Sequence, residues 1–196
     1  MKYSCLTDDI IHHSLDSEGG GNKFNVHLKY AMACCQSTKH IGDKLIGNPH
    51  DIKIFEYIGW EQVDRLNDRN GYAYTNVRPS IKNFLEDKET NKKFTDDKVE
   101  LKILKQFEFQ SKLQRMSVIC IDNDQTHFTC YMKGAPQTIS KFCQKSSLPK
   151  NFLVEIQEYQ SKGYRVLAYA TKQIDLKLAN SLDKVINLDR EQVETE

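Results

Sequence analysis

Lys133 and Gly134 lie where two periodicities meet, in the stretch Tyr-Met-Lys-Gly-Ala-Pro at residues 131–136. Before the join, apolar residues alternate as on a strand; after it they fall at Ile139, Phe142 and Cys143, as on a helix. A glycine there lets another group approach the backbone closely, and the lysine adds a compact positive charge beside outward-facing amides. Pro136 suits the first turn of the helix that follows. Such a combination can hold a small anionic ligand. Taken alone, it reads first as an ordinary strand-to-helix turn with an exposed lysine, so the fragment does not choose a function by itself.

Other chemistries find less support. The six cysteines (5, 34, 35, 120, 130 and 143) form no Cys-x-x-Cys pair, and Cys120 and Cys130 sit within apolar alternation as small hydrophobes. That usage fits a reducing compartment. The histidines show no ligand spacing with cysteine or carboxylate, so no metal site is expected. Asp96-Asp97, Asp122 and Asp124 read as turn and loop residues. No Gly-x-Ser-x-Gly or kinase-type motif occurs, and Gly19-Gly20-Gly21 lacks the Lys-Ser/Thr ending of a phosphate-binding loop. Lys+Arg of 28 against Asp+Glu of 27 leaves no basic excess for general nucleic-acid binding. With 39% hydrophobic and 10% aromatic residues, the chain can bury a core without a metal or disulfide staple. It carries no secretory apolar segment and no run long enough to span a bilayer, so it is not expected to enter a membrane by itself.

Several elements can position the Lys133 join. Residues 1–23 are polar and read as a flexible lead-in. Leu28, Ala31, Met32 and Cys35 recur at helical spacing, and a Gly-Asn-Pro turn precedes a second helix opening near His50 or Asp51. Residues 71–77 read as a strand, and the charge-dense stretch 82–98 as a solvated loop. Strand-like alternation marks 100–109, and residues 115–122 and 126–133 flank a polar turn as a hairpin. A helix bearing Phe152, Ile156 and Tyr159 stops at Gly163, before a strand over 164–170. The order predicts an α+β domain, an antiparallel sheet flanked by helices.

Four blocks, in order, resemble the nucleotide-binding (N) domain of P-type ATPases: Gly-Asn-Pro-His-Asp at 47–51, Phe-Glu-Phe-Gln-Ser-Lys-Leu-Gln-Arg-Met-Ser-Val at 107–118, Lys-Gly-Ala-Pro at 133–136, and Gly-Tyr-Arg-Val-Leu at 163–167. They frame roughly residues 24–172. Gln114-Arg-Met-Ser-Val is similar to the type V class, where ion pumps commonly have Lys first, and Gly59-Trp60 resembles the polyamine-transporter branch. The resemblance implies that Phe109 stacks on adenine and that Asp51 faces its amino group. It also implies that Lys133, Gly134 and Ala135 form the adenosine pocket, with Leu167 as an apolar wall. Arg165 would reach the phosphates or ribose, and Gln114 stands where many relatives place a phosphate-contacting lysine. From the residues alone, Phe109 could equally be a core phenylalanine like Phe107, and Asp51 a helix-capping carboxylate.

The family's phosphorylated aspartate belongs to an Asp-Lys-Thr-Gly-Thr motif, absent from this sequence. The resemblance therefore implies a domain inserted in a larger transport ATPase, with 173–196 a polar segment leading back to the phosphorylation domain. ATP, with magnesium on its phosphates, would be positioned here for transfer to that aspartate, driving transport, in this branch of polyamines. The expected partners are ATP or ADP and the phosphorylation, actuator and transmembrane domains of the parent. The chain itself is expected to be monomeric and cytosolic, to bind nucleotide weakly and not to turn it over; the parent would lie in an endolysosomal or vacuolar membrane. The alternative is a protein-interaction module with a degenerate nucleotide site, for which Asp51 and Gln114 leave room.

Overall fold

The computed structural model describes residues 4–7, 21–41, 44–65, 74–80, 99–122, 127–175 and 181–195. In chain order the elements are β1 (Ser4–Thr7), α1 (Gly21–Cys34), β2 (Thr38–Ile41), β3 (Lys44–Gly47), α2 (Pro49–Ile58), β4 (Trp60–Arg65), β5 (Tyr74–Pro79), β6 (Leu101–Gln110) and β7 (Arg115–Ile121). They continue with β8 (Phe128–Gly134), α3 (Pro136–Ile139), α4 (Phe152–Ser161), β9 (Ala168–Gln173), α5 (Leu182–Asn187) and α6 (Arg190–Thr195). Seven strands form one antiparallel sheet in the order β1-β9-β8-β7-β6-β5-β4, and β2 pairs with β3 separately. The charged stretch 82–98 lies outside the described residues.

Strand alternation divides the core between the two faces of the sheet. Val118, Cys120, Tyr131 and Tyr169 face Leu28, Ala31, Met32 and Cys35, with Phe55 of α2. Their immediate neighbours Ile119, Cys130, Met132, Ala168 and Ala170 face the other way, toward Ile139, Phe152, Ile156, Val185 and Val193 of α3–α6. Helices on both faces account for the continuous burial of residues 116–121 and 130–134.

The β6 pattern has a local cause. Leu104 and Phe107 both pack on the α3–α6 side although three residues apart, and the ladder steps from Ile103–Cys120 to Lys105–Ile119 at that point. A bulge at Leu104 resets the alternation. A second register shift falls between Phe107 and Gln110, so Phe109 does not simply repeat Phe107. Helix α2 begins as expected: Pro49 occupies its first turn, and Asn48 caps it by accepting the His50 amide at 3.0 Å. It ends at Gly59, whose φ of 65° is the left-handed conformation that glycine adopts without strain.

Both ends of the chain differ from the reading of a domain confined to 24–172. Within the expected lead-in, Ser4–Thr7 pair with Ala168–Thr171 as the edge strand of the large sheet. That pairing is made by backbone groups and needs no side-chain periodicity. The segment after Lys172, expected to be polar and outside the domain, buries Ile174, Val185, Leu188 and Val193 in the main core. Its few apolar residues are spread over two short helices, which obscures the pattern. The strand expected from Tyr164 starts at Ala168, leaving Tyr164–Leu167 outside regular structure.

Candidate functional site

At one end of the sheet, Gln110, Arg115, Gly134 and Ala168 stand in register across β6, β7, β8 and β9. Phe109, Gln114, Ala135 and Leu167 each adjoin that row by one residue. The fold thus gathers six of the residues singled out from the sequence (109, 114, 133–135 and 167) along one terminal row of four strands.

Asp51 enters from α2. Lys133 shares the face of β8 that carries Tyr131, the face α1 and α2 cover, and its Nζ lies 2.8 Å from Asp51 Oδ1. The side chains are 8% and 11% exposed, so this ion pair is nearly dry. Asp51 Oδ2 accepts the Ser37 amide at 3.1 Å. Asp51 is not the helix cap, which is Asn48; it is the third residue of the helix, after Pro49 and His50, where the helix dipole favours a carboxylate. Ser37 also donates from Oγ to Glu108 Oε2 at 3.3 Å, beside Phe109, which links the loop after α1 to the end of β6. Sequence reasoning missed Ser37, because a backbone amide donor leaves no trace in residue type.

Gly134 is required by packing within the protein. A Cβ there would lie 2.4 Å from the Gln114 carbonyl oxygen and 2.9 Å from Arg115 Cβ. Gln114 holds φ 52°, a left-handed conformation unusual for a non-glycine residue, and its carbonyl accepts the Ala135 amide at 3.0 Å. Gln114 Oε1 accepts Thr138 Oγ1 at 3.2 Å, so the amide is turned toward α3. Arg115 next door is also committed. Its Nε and Nη2 lie 2.8 and 2.6 Å from Glu194 Oε2, and its guanidinium stacks 4.5 Å from the Phe142 ring centroid.

The two phenylalanines of β6 separate clearly. Phe107 packs partly buried against the core beneath Lys105 and Arg190, whereas Phe109 is 53% exposed. Arg165 is exposed in the segment between α4 and β9, and Leu167 packs partly buried on the α1–α2 side that Lys133 also faces. Among the described residues no group of three or more His, Cys, Asp or Glu is placed to hold a metal. No described helix is long and apolar enough to cross a membrane.

Residues 31–196 match the family model described as "P-type ATPase, cytoplasmic domain N". The chain belongs to the cytoplasmic N domains of the P-type ATPases. Its relatives are 13A-type pumps. The N domain is 40% identical over 167 residues to the human "Probable cation-transporting ATPase 13A5", covering 85% of this chain and 13% of that protein. It is 34% identical over 175 residues to the mouse "Polyamine-transporting ATPase 13A3", covering 83% and 14%. With the "Vacuolar cation-transporting ATPase YPK9" of Saccharomyces cerevisiae it shares 32% over 179 residues, covering 84% and 12%. The chain thus spans about an eighth of the length of these relatives. The family match runs to residue 196 and takes in α5 and α6.

Proposed function

We propose that this N domain binds ATP at the terminal row of β6–β9 and positions its γ-phosphate for transfer to an aspartate in a separate phosphorylation domain. Phe109 supplies the exposed ring for stacking on adenine, a contact worth about 1–3 kcal/mol. Lys133 and Asp51 form the polar floor, Ala135 and Leu167 the small and apolar walls, and Arg165 the cation for phosphates or ribose. Gln114 borders the pocket through its backbone. Magnesium arrives on the ATP phosphates. The observation that carries this reading is the gathering of Phe109, Lys133, Ala135 and Leu167 around one sheet end, with Asp51 locked to Lys133 at 2.8 Å.

One stacking contact with a few polar groups supports a dissociation constant around millimolar, about −4 kcal/mol. The phosphoryl-transfer electrostatics lie in the other domains, so the chain alone binds without turnover. In the parent pump the domain powers transport of cations, with polyamines as the cargo suggested by the mouse relative's name and a vacuolar or endolysosomal membrane suggested by the yeast relative's. The test combines titration calorimetry with a phosphate-release assay on the pure chain. ATP binding weakened at least about fivefold by both Phe109→Ala and Lys133→Ala, with no release above blank, is expected. A folded chain that ignores several millimolar ATP would favour a protein-interaction module instead.

A further inference from the structure

We infer that α6 clamps the end of β6, and that Arg190 and Glu194 are positioning residues that fix the pose of Phe109 and with it the affinity for nucleotide. The inference rests on the proposed nucleotide site. Phe109 is 53% exposed, so packing does little to orient its ring. Its backbone is not set by regular pairing either. The ladder steps from Phe107–Ser117 to Gln110–Arg115, three residues of β6 against two of β7, and such a bulge re-aims the side chains within it. The carbonyl of Glu108, half of the peptide group that leads into Phe109, accepts a hydrogen bond from Arg190 Nη2 of α6. That guanidinium is itself held: it lies 5.6 Å from the Phe107 ring centroid and 3.8 Å from Glu194 Oε1, and its side chain is 16% exposed.

Glu194 carries the clamp to the other side of the turn. Its carboxylate receives Arg115 Nε at 2.8 Å and Nη2 at 2.6 Å, and Arg115 Nη1 donates to the Leu113 carbonyl at 3.4 Å. One carboxylate of α6 thus holds two guanidiniums that grip backbone carbonyls on either side of residues 109–112. In so dry a setting these charged contacts are little screened and keep their geometry. The bonds internal to the turn run from the Leu113 and Gln114 amides to the Gln110 carbonyl, at 3.0 and 2.7 Å, and fix its shape rather than the direction of Phe109. Helix α6 therefore acts on the ring through Glu108. Coupling of this kind is reciprocal: drawing α6 off the sheet weakens nucleotide binding, and bound nucleotide holds α6 down.

The experiment measures ATP dissociation constants of the chain by NMR titration, at a temperature where each variant keeps a folded spectrum. Arg190→Met, which leaves an unbranched side chain over Phe107, is expected to weaken ATP about fivefold, and no more than Phe109→Ala does. In the Phe109→Ala background the same change should cost less than about twofold, because the ring through which it acts is gone. Val185→Ala truncates a fully buried residue of α5 outside the clamp, and is expected to lower stability while leaving affinity within about twofold. Without any variant, hydrogen exchange at the α6 amides should slow at least about threefold in saturating ATP, relative to those of α4. The inference is overturned if Arg190→Met leaves ATP affinity unchanged, or if its effect is equal in both backgrounds. It is equally overturned if Val185→Ala weakens ATP as much, or if α6 exchange ignores ATP. A wild-type chain that binds no ATP would instead remove the nucleotide site itself, and the inference would fall with it.

Discussion

Glu194 offers the sharpest energetic test of how this fold is held together. Its carboxylate is 1% exposed, accepts Ser117 Oγ at 2.7 Å, and receives both Nε and Nη2 of Arg115. Arg190 of the same helix approaches to 3.8 Å, and its own guanidinium reaches the Glu108 carbonyl on β6. Glu194→Ala would strand a guanidinium that is only 15% exposed, and a buried hydroxyl with it. Breaking one side of a buried pair costs about 3–5 kcal/mol, because the remaining charge is desolvated without compensation. Against a typical domain stability of about 5–15 kcal/mol that is a large fraction. For a chain of this length each kcal/mol corresponds to about 2–4 °C, so a fall in Tm of roughly 6–20 °C is expected. Thermal unfolding followed by circular dichroism measures the shift in Tm and urea unfolding the free energy, with Arg115→Met/Glu194→Leu as the control. Removing both charges together should recover much of the loss. A Glu194→Ala cost below about 1 kcal/mol, the level of a surface pair, would refute the claim that α6 is an integral part of this domain.

Further outcomes follow from other contacts. Gly134→Ala places a Cβ 2.4 Å from the Gln114 carbonyl, and a cost of about 1–3 kcal/mol in urea unfolding is expected, as for other overpacked sites. Cys34, Cys35, Cys120, Cys130 and Cys143 are buried, and burial raises the thiols of Cys35 and Cys120 well above the ordinary range. A thiol reagent should therefore label these five only at the rate of unfolding, and fast labelling in native buffer would contradict their placement. Burial lowers the pKa of His27 below its usual 6.5, so the unfolded chain binds more protons near and just below that pH. Stability from this group is complete above about pH 6.5 and declines as pH falls toward the folded-state value; His27→Gln should flatten that part of the pH–stability curve.

Much of the architecture was readable because it rests on strong local signals. Leu28, Ala31 and Met32, with Cys35 just past its end, mark the buried stripe of α1, Asn48-Pro49 opens α2, and the β7–β8 hairpin alternates around a polar turn. What escaped has a physical pattern. Strands β1, β2 and β3 have four residues each, too few for periodicity to register, and β1 joins the sheet through backbone pairing alone. Helices α5 and α6 anchor through Val185, Val193 and a paired glutamate, a polar residue that composition assigns to solvent. At the candidate site, residue types suggested Lys133 and Asp51 separately, but their contact joins positions 82 residues apart. Gln114 is the sharpest lesson. Its left-handed backbone explains why Gly134 must be glycine, and neither fact follows from residue order alone.

Amide-resolved NMR during ATP titration with magnesium would locate the bound adenosine, which is expected at the β6–β9 end of the sheet. Shifts should cluster at Ser37, Asp51, Phe109, Lys133–Ala135 and Arg165–Leu167, saturating around millimolar. They should weaken in Phe109→Ala while the rest of the spectrum keeps its dispersion. Shifts that saturate elsewhere, or a spectrum unmoved at several millimolar ATP, would contradict the account.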